Sequence, residues 1–374
     1  MDDRKKRILV YRTGQLGDTL VSLPAMRAIR DAYPDAELIL LTDYHPGKGF
    51  VSSWDVLEQT GLFSDVIFYR PPLNGLADSF RFITLAIKIR SRKPNTLFYL
   101  RDSRRHSRSR DRFFFETMCG IANCVGLDHP DDYAFGSRYE DGTLARLPSE
   151  AQRLLAMIGN AGVPVPRSVE GEFFLTISEK ERRRIDSLWL EESISDDSSV
   201  IGLCPGSKMA AKRWPLDRYE RVSKQLLSKS PRYRVVVLGG PEDQTTGEDI
   251  RRSLGERVIN LAGRLSLLES AEALRRCRLY VGNDTGVMHL AAAVGTPCVG
   301  IFSSRDHPGR WDPIGSNHIV LRKEVPCSGC MLETCIEKEM LCLKEIKVEE
   351  VLDAVERVLR ESNNEQFSAR TLAE

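Results

Sequence analysis

No stretch of the 374-residue chain reaches about 18 consecutive apolar residues, so no segment reads as a membrane-spanning helix. The nearest approach, residues 289–302, is broken by Gly295, Pro297 and Gly300. No secretory leader is expected either, because charged residues follow Met1 at once and the apolar run Ile8-Leu9-Val10 is too short for its core. Cytoplasmic residence is the expectation. In that reducing setting the nine cysteines read as thiols or metal ligands rather than a disulfide framework. An excess of one charge is missing too: 54 Lys and Arg stand against 53 Asp and Glu, a net charge of +1. That excludes a protein whose main work is wrapping a polyanion and leaves any basic function local. No internal repeat of roughly 20 to 50 residues is present, which removes solenoid architectures.

What is present is length enough for two hydrophobic cores. Strand-like runs at residues 7–12, 36–41, 65–69 and 96–100 alternate with helical patterns at 19–33 and 76–90, the order expected of a parallel α/β unit. Helices are expected at 112–121 and 150–160. A second strand series follows at 200–204, 234–238, 257–260, 278–281 and 297–300. Between the two lie a charged helix at 178–190 and a polar string at 191–199, read as an exposed linker. The expected division is therefore 1–177, a hinge at 178–199, a second domain at 200–346, a final helix at 347–361 and a frayed tail at 362–374. The final helix has an apolar stripe of Val348, Val351, Leu352, Val355, Val358 and Leu359. Ligands of two such open sheets bind outside the carboxyl ends of the strands.

Four strand-to-turn segments carry chemistry. Tyr280-Val281-Gly282-Asn283-Asp284-Thr285-Gly286-Val287-Met288-His289-Leu290 reads as a strand, a tight polar turn and a helix. The first N–H groups of that helix lack intrahelical partners and carry about half a positive charge, which suits a phosphate. Taken by residues alone, Asp284 or Thr285 as a simple N-cap and His289 as a packed histidine remain alternatives. Ile201-Gly202-Leu203-Cys204-Pro205-Gly206-Ser207 is a second such element, with Lys212-Arg213-Trp214-Pro215 opening the next helix. A third runs from Arg7 through Thr13-Gly14-Gln15-Leu16-Gly17-Asp18, and the fourth is Val235-Val236-Val237-Leu238-Gly239-Gly240-Pro241-Glu242.

Together these segments resemble glycosyltransferase family 9, the lipopolysaccharide heptosyltransferase family, over most of the chain and most strongly at residues 8–35 and 200–322. The resemblance implies a GT-B fold: two Rossmann-like α/β domains facing an interdomain cleft, the C-terminal one holding a nucleotide-sugar donor and the N-terminal one facing the acceptor. It implies inverting transfer of a sugar, heptose from ADP-heptose first, onto a lipopolysaccharide core or related surface glycan. It also implies that the final helix returns to the first domain, although a helix capping the second domain would show the same stripe.

By the same resemblance Asp18 is the general base toward the acceptor hydroxyl, with a first-turn carboxylate as the plainer reading. The departing nucleoside diphosphate needs a metal or fixed positive groups. The chain has no Asp-x-Asp pair. Lys212 and the Thr285 and Gly286 N–H groups take that task, in keeping with the family's metal independence, so no catalytic cofactor is expected. Asp284 and His289 join the donor side, and Glu242 is matched to the ribose hydroxyls. Residues 101–112 hold six arginines and two aspartates. As forks for phosphate or carboxylate, Arg104, Arg105 and Arg108 are read as binding an anionic glycolipid acceptor at the inner face of the inner membrane. A solvated surface is the plainer reading. Nucleic acid is not expected as a partner, because no aromatic residue interrupts the run. Cys327, Cys330, Cys335 and Cys342 crowd into 16 residues and are read as a structural zinc site or as reduced thiols. Two other functions fit less of the sequence: a nucleotide-sugar epimerase of GT-B-like fold, and a non-enzymatic nucleotide- or nucleic-acid-binding module.

Overall fold

The computed structural model describes residues 6–45, 51–71, 76–101, 108–127, 136–167, 169, 175–195, 197–336 and 338–371, without the side chains of Leu76, Ala77, Ser79, Arg108 and residues 362–371. The chain forms two compact units, one of Met1–Ala134 with Glu150–Val169, the other of Phe135–Ser149 with Glu170–Glu374.

In the first unit β1 (Arg7–Tyr11), β2 (Glu37–Asp43), β3 (Asp65–Tyr69), β4 (Thr96–Tyr99) and β5 (Asn123–Val125) make a parallel sheet in the order β3-β2-β1-β4-β5. Ile8, Leu9 and Val10 of β1 are fully buried, which explains why that central strand is a continuous apolar run rather than an alternating one. Six helices accompany the sheet: α1 (Leu16–Leu20), α2 (Leu23–Ala32), α3 (Ser53–Leu57), α4 (Leu76–Arg92), α5 (Arg108–Arg112) and α6 (Glu150–Asn160). The single helix expected at 19–33 is divided, because Pro24 sits in the first turn of α2 and has no N–H to continue a preceding helix. Beyond α5 the chain makes a π-helical segment, Phe113–Met118, where an α-helix was expected.

The second unit has a six-stranded sheet of β6 (Ser199–Cys204), β7 (Tyr233–Val237), β8 (Val258–Asn260), β9 (Leu279–Asn283), β10 (Cys298–Ile301) and β11 (Ile319–Leu321), in the order β11-β10-β9-β6-β7-β8 and parallel throughout. Its helices are α7 (Glu179–Glu191), α8 (Leu216–Lys229), α9 (Gln244–Leu254), α10 (Leu267–Arg275), α11 (Gly286–Ala293), α12 (Leu341–Lys344) and α13 (Val348–Thr371). The helix read as part of a linker is α7, and it is not a free connector. Ile185 and Leu188 are buried, and Asp186 pairs with Arg276 at 2.6 Å just beyond α10. The stripe of α13 also has a definite place: Val348, Val351, Leu352, Val355 and Val358 are buried in one core with Trp214, Tyr219, Leu226 and Val281. α13 thus caps the sheet of the second unit. Among the described residues no helix is long and apolar enough to cross a membrane.

In each unit the strand order reverses direction at one point, between β1 and β4 in the first and between β6 and β9 in the second. Loops leaving adjacent strands there diverge to opposite sides and open a crevice at the carboxyl ends.

Candidate active site

At the switch point of the second unit, the fully buried Asn283 ends β9 and ties the surrounding loops together. Its amide donates to the carbonyls of Pro205 and Gly206 at 2.7 and 3.2 Å, and its Oδ1 accepts from Trp214 N and the Tyr219 hydroxyl at 3.1 and 2.8 Å. Both amide hydrogens and both lone pairs are used. The loop after β6 is packed from its other side by Asp243. A Cβ on Gly206 would lie 1.8 Å from Asp243 Oδ1, so only glycine allows this approach.

Asp284 follows Asn283, and its carboxylate meets Lys212 Nζ at 2.6 Å with both side chains mostly buried. Thr285 is the N-cap of α11 in extended backbone conformation, and its side chain does not cap the helix. Its Oγ1 is buried without a partner in hydrogen-bonding geometry, although it lies close to Cys204 and Tyr280. One turn on, His289 is buried and its Nδ1 has no partner. Burial lowers its pKa to about 4, with Asp284 opposing that shift and Lys212 adding to it. The imidazole is therefore neutral at physiological pH. This cluster joins five of the six expected donor residues: Lys212, Asp284, Thr285, Gly286 and His289.

The remaining donor candidate, Glu242, is exposed in the single 3₁₀ turn Pro241–Asp243 after β7. Its neighbour Asp243 accepts from Gly240 N at 3.0 Å, and both acids stand in the first turn. Sequence reading missed the loop after β10. Asp306, Arg310 and Arg305 are buried there, and Trp311 stacks edge-on to His289 with ring centroids 6.3 Å apart. Arg322, fastened to the carbonyls of Ser303 and Asp306 at 3.1 and 2.9 Å, is a second cation within electrostatic reach of Asp284. The available signal was the dense polar string Ser303-Ser304-Arg305-Asp306-His307 directly after a buried strand.

At the switch point of the first unit, the fully buried Arg12 leaves β1 and bridges to the neighbouring strand end through Leu100 O at 2.5 Å. The same guanidinium donates to Asp18 O at 2.5 Å and stands 3.8 Å from Asp18 Oδ1. Its counter-charge is the buried Glu150, 3.6 Å away, which in turn accepts from Arg153 Nε and Nη2 at 2.9 and 2.7 Å. Asp18 sits in the first turn of α1, where Oδ2 accepts from Gln15 N at 2.9 Å, and its side chain remains one-third exposed. Gly14, at φ 118°, is required by this turn, since a Cβ there would approach the Asp18 Cβ to 2.6 Å. The carboxylate thus caps its helix and still reaches solvent.

Arg104 and Arg105 lie outside the described residues, and Arg108 opens α5 with its side chain outside them. Of the four clustered cysteines, Cys327 and Cys330 lie near enough to Cys342 to add to the rise that burial causes in its pKa, while Cys335 Sγ accepts from Met340 N at 3.3 Å. Among the described residues no three His, Cys, Asp or Glu side chains are arranged to hold a metal ion.

The whole chain has the GT-B architecture of solved glycosyltransferases. It superposes on a family 9 glycosyl transferase from Veillonella parvula with a TM-score of 0.72 at 23% identity, covering 96% of this chain and 99% of that one. For the ADP-heptose lps heptosyltransferase II of Escherichia coli the TM-score is 0.65 at 22% identity, with the same coverage. Residues 163–341 match the family described as Glycosyltransferase family 9 (heptosyltransferase). In sequence the chain is 31% identical over 137 residues to lipooligosaccharide heptosyltransferase 2 of Haemophilus influenzae, 35% of this chain and 39% of that relative. It is 36% identical over 115 residues to lipopolysaccharide heptosyltransferase 2 of Escherichia coli, 29% of this chain and 32% of the relative. These matches thus span well under half of each relative's length. Residues 163–341 carry the sequence of glycosyltransferase family 9, and the chain shares the fold of solved proteins named for that family and for heptosyltransferase activity.

Proposed function

We propose that this protein is an inverting glycosyltransferase that moves heptose from ADP-heptose to an anionic glycolipid acceptor of the lipopolysaccharide core type. The observation that carries the reading is the Lys212–Asp284 pair set beside the N-terminus of α11, within the part of the chain that matches family 9. Solved relatives of this fold include an Escherichia coli heptosyltransferase with ADP.

In this reading the donor diphosphate takes Lys212 from Asp284 and accepts from the Thr285 and Gly286 N–H groups. Charge growing on the leaving phosphate is then met by a cation and a helix dipole already in place. Asp284, released from the lysine, accepts from donor sugar hydroxyls. His289, neutral, donates one hydrogen bond without adding charge, and Glu242 accepts from the ribose. Asp18 takes the proton of the acceptor hydroxyl. A carboxylate is a far weaker base than an alkoxide, so the proton leaves late, once the oxygen is bonding to an oxocarbenium-like carbon. Neither role calls on a metal. Arg104, Arg105 and Arg108 bind the acceptor's anionic groups, and the four cysteines hold a structural zinc or stay reduced.

The test is ADP release from ADP-heptose with and without a heptose-accepting core glycolipid. Release that depends on acceptor, yields a glycosylated product and persists in EDTA supports the reading, whereas acceptor-independent formation of free or epimerised sugar replaces it with an epimerase. Asp18→Asn separates the two roles of that carboxylate, since the amide oxygen still caps α1 but takes no proton. We expect a loss of about 10²–10⁴-fold in kcat with thermal stability retained. Near-normal turnover in Asp18→Asn would leave Asp18 as a helix cap only.

A further inference from the structure

α4 is apolar on two opposite faces. Phe82, Leu85, Ala86 and Ile89 turn into the core of the first unit. At roughly 100° per residue, Phe80, Ile83 and Ile87 fall within about 60° of one another on the reverse side. These three side chains are 77%, 49% and 61% exposed, the first among the most exposed large apolar groups described. An amphipathic surface helix needs one apolar face, and the second has no partner among the described residues. Basic residues border it on both sides: Arg81 and Lys88 along one edge, Arg90 along the other, all exposed. The helix carries four basic residues against the single acid Asp78, in a chain whose net charge is only +1. Beside it, in the π-helical segment that packs on α4 through Phe82 and Phe114, Phe113 is a further exposed ring at 56%.

We propose that this outer face of α4 docks the protein on the surface of a bilayer containing anionic phospholipid. Phe80 to Ile87 spans about 10 Å along the helix, too little for a stable interface between copies, which needs about 800 Å² from each partner. A helix lying in the headgroup region needs only a narrow apolar ridge sunk by about 5–10 Å, with cations at its edges to meet lipid phosphates. Arg81, Lys88 and Arg90 supply those cations where the apolar ridge supplies the insertion. The inference rests on the glycosyltransferase reading only for the reason a bilayer is the relevant surface, namely an acceptor anchored in lipid.

The experiment is co-sedimentation of the full chain with phosphatidylglycerol-containing vesicles and with pure phosphatidylcholine vesicles, beside light scattering for oligomeric state. The protein should bind the anionic vesicles better, and less as salt rises. Phe80→Ser/Ile83→Ser/Ile87→Ser should weaken that binding at least about tenfold with unchanged circular dichroism and unchanged transfer to a water-soluble acceptor fragment. Arg81→Gln/Lys88→Gln/Arg90→Gln should abolish the preference for anionic lipid. The proposal fails if the wild type ignores anionic vesicles or if the serine variant binds them equally. It also fails if the serine variant turns a dimer into a monomer while keeping its vesicle binding, since the face would then join two copies. Vesicle binding without any sugar transfer would sink the enzymatic reading and leave the docking face standing.

Discussion

His289 shows how burial sets the chemistry of one residue at this site. Its ring gives up hydration without gaining a partner for Nδ1, and that cost falls on the charged form, so the folded-state pKa drops to about 4. The unfolded chain takes up this proton near pH 6.5, so between those values the unfolded state binds more protons than the folded one. The stability that the neutral ring contributes is present in full above about pH 6.5 and is lost as pH falls toward 4. A gap of this size corresponds to roughly 3 kcal/mol at most. Urea denaturation of the wild type and of His289→Gln at pH 7.5 and pH 4.5 should show the wild type's advantage shrinking by about 2–3 kcal/mol at the lower pH. An advantage independent of pH would mean the ring titrates as an ordinary surface histidine. Nothing in the string around His289 announced this, because a neighbouring Asp in sequence suggests the opposite shift, and only the packing around α11 makes burial the larger effect.

Strand ends and the turns after them make up the elements of the site, and Asn283 is what fixes two of them to each other. Replacing it with Ala leaves the carbonyls of Pro205 and Gly206, the Trp214 N–H and the Tyr219 hydroxyl short of a partner in a buried place. The expected cost is about 3 kcal/mol, with faster amide exchange across residues 205–214 in hydrogen-exchange mass spectrometry. Wild-type exchange there would show the loop held by other contacts. Asn283→Asp should not rescue it, since a carboxylate would face two carbonyl oxygens. At this scale the sequence was readable wherever periodicity or turn chemistry is local. The strand at 7–12, the buried strand before Gly282 and the helix opening at Pro215 all follow from it. It was less readable where a short apolar string is ambiguous: α1 and α2 fused into one expected helix, and Phe113–Met118 was given the wrong helical period. Asn283 itself was on view in the motif, but as a turn residue, because four long-range hydrogen bonds leave no mark on neighbouring positions.

For the whole molecule, the placement of α13 decides how the second unit coheres. Leu352 is buried in the same core as Trp214 and the central strand β9, and Trp214 Nε1 and Arg218 hold the carbonyl of Ile346 just before the helix begins. Leu352→Ala should cost about 2–5 kcal/mol and open residues 175–371 to hydrogen exchange while leaving residues 6–127 protected. Equal loss of protection in both stretches would mean that the two units unfold as one. Sequence by itself determined the α/β class, the two cores and the strand ends at which the motifs lie, because apolar periodicity and glycine-bearing turns are written in adjacent residues. Only the tertiary structure decided which strands are neighbours, and therefore that β1 meets β4 and β6 meets β9 where the order reverses. It alone decided that Lys212 is paired with Asp284, that the buried Arg12 has the buried Glu150 as its counter-charge, and on which core α13 settles. Each of these depends on residues tens to hundreds of positions apart, and an amphipathic stripe states only that a face will be buried, never against what.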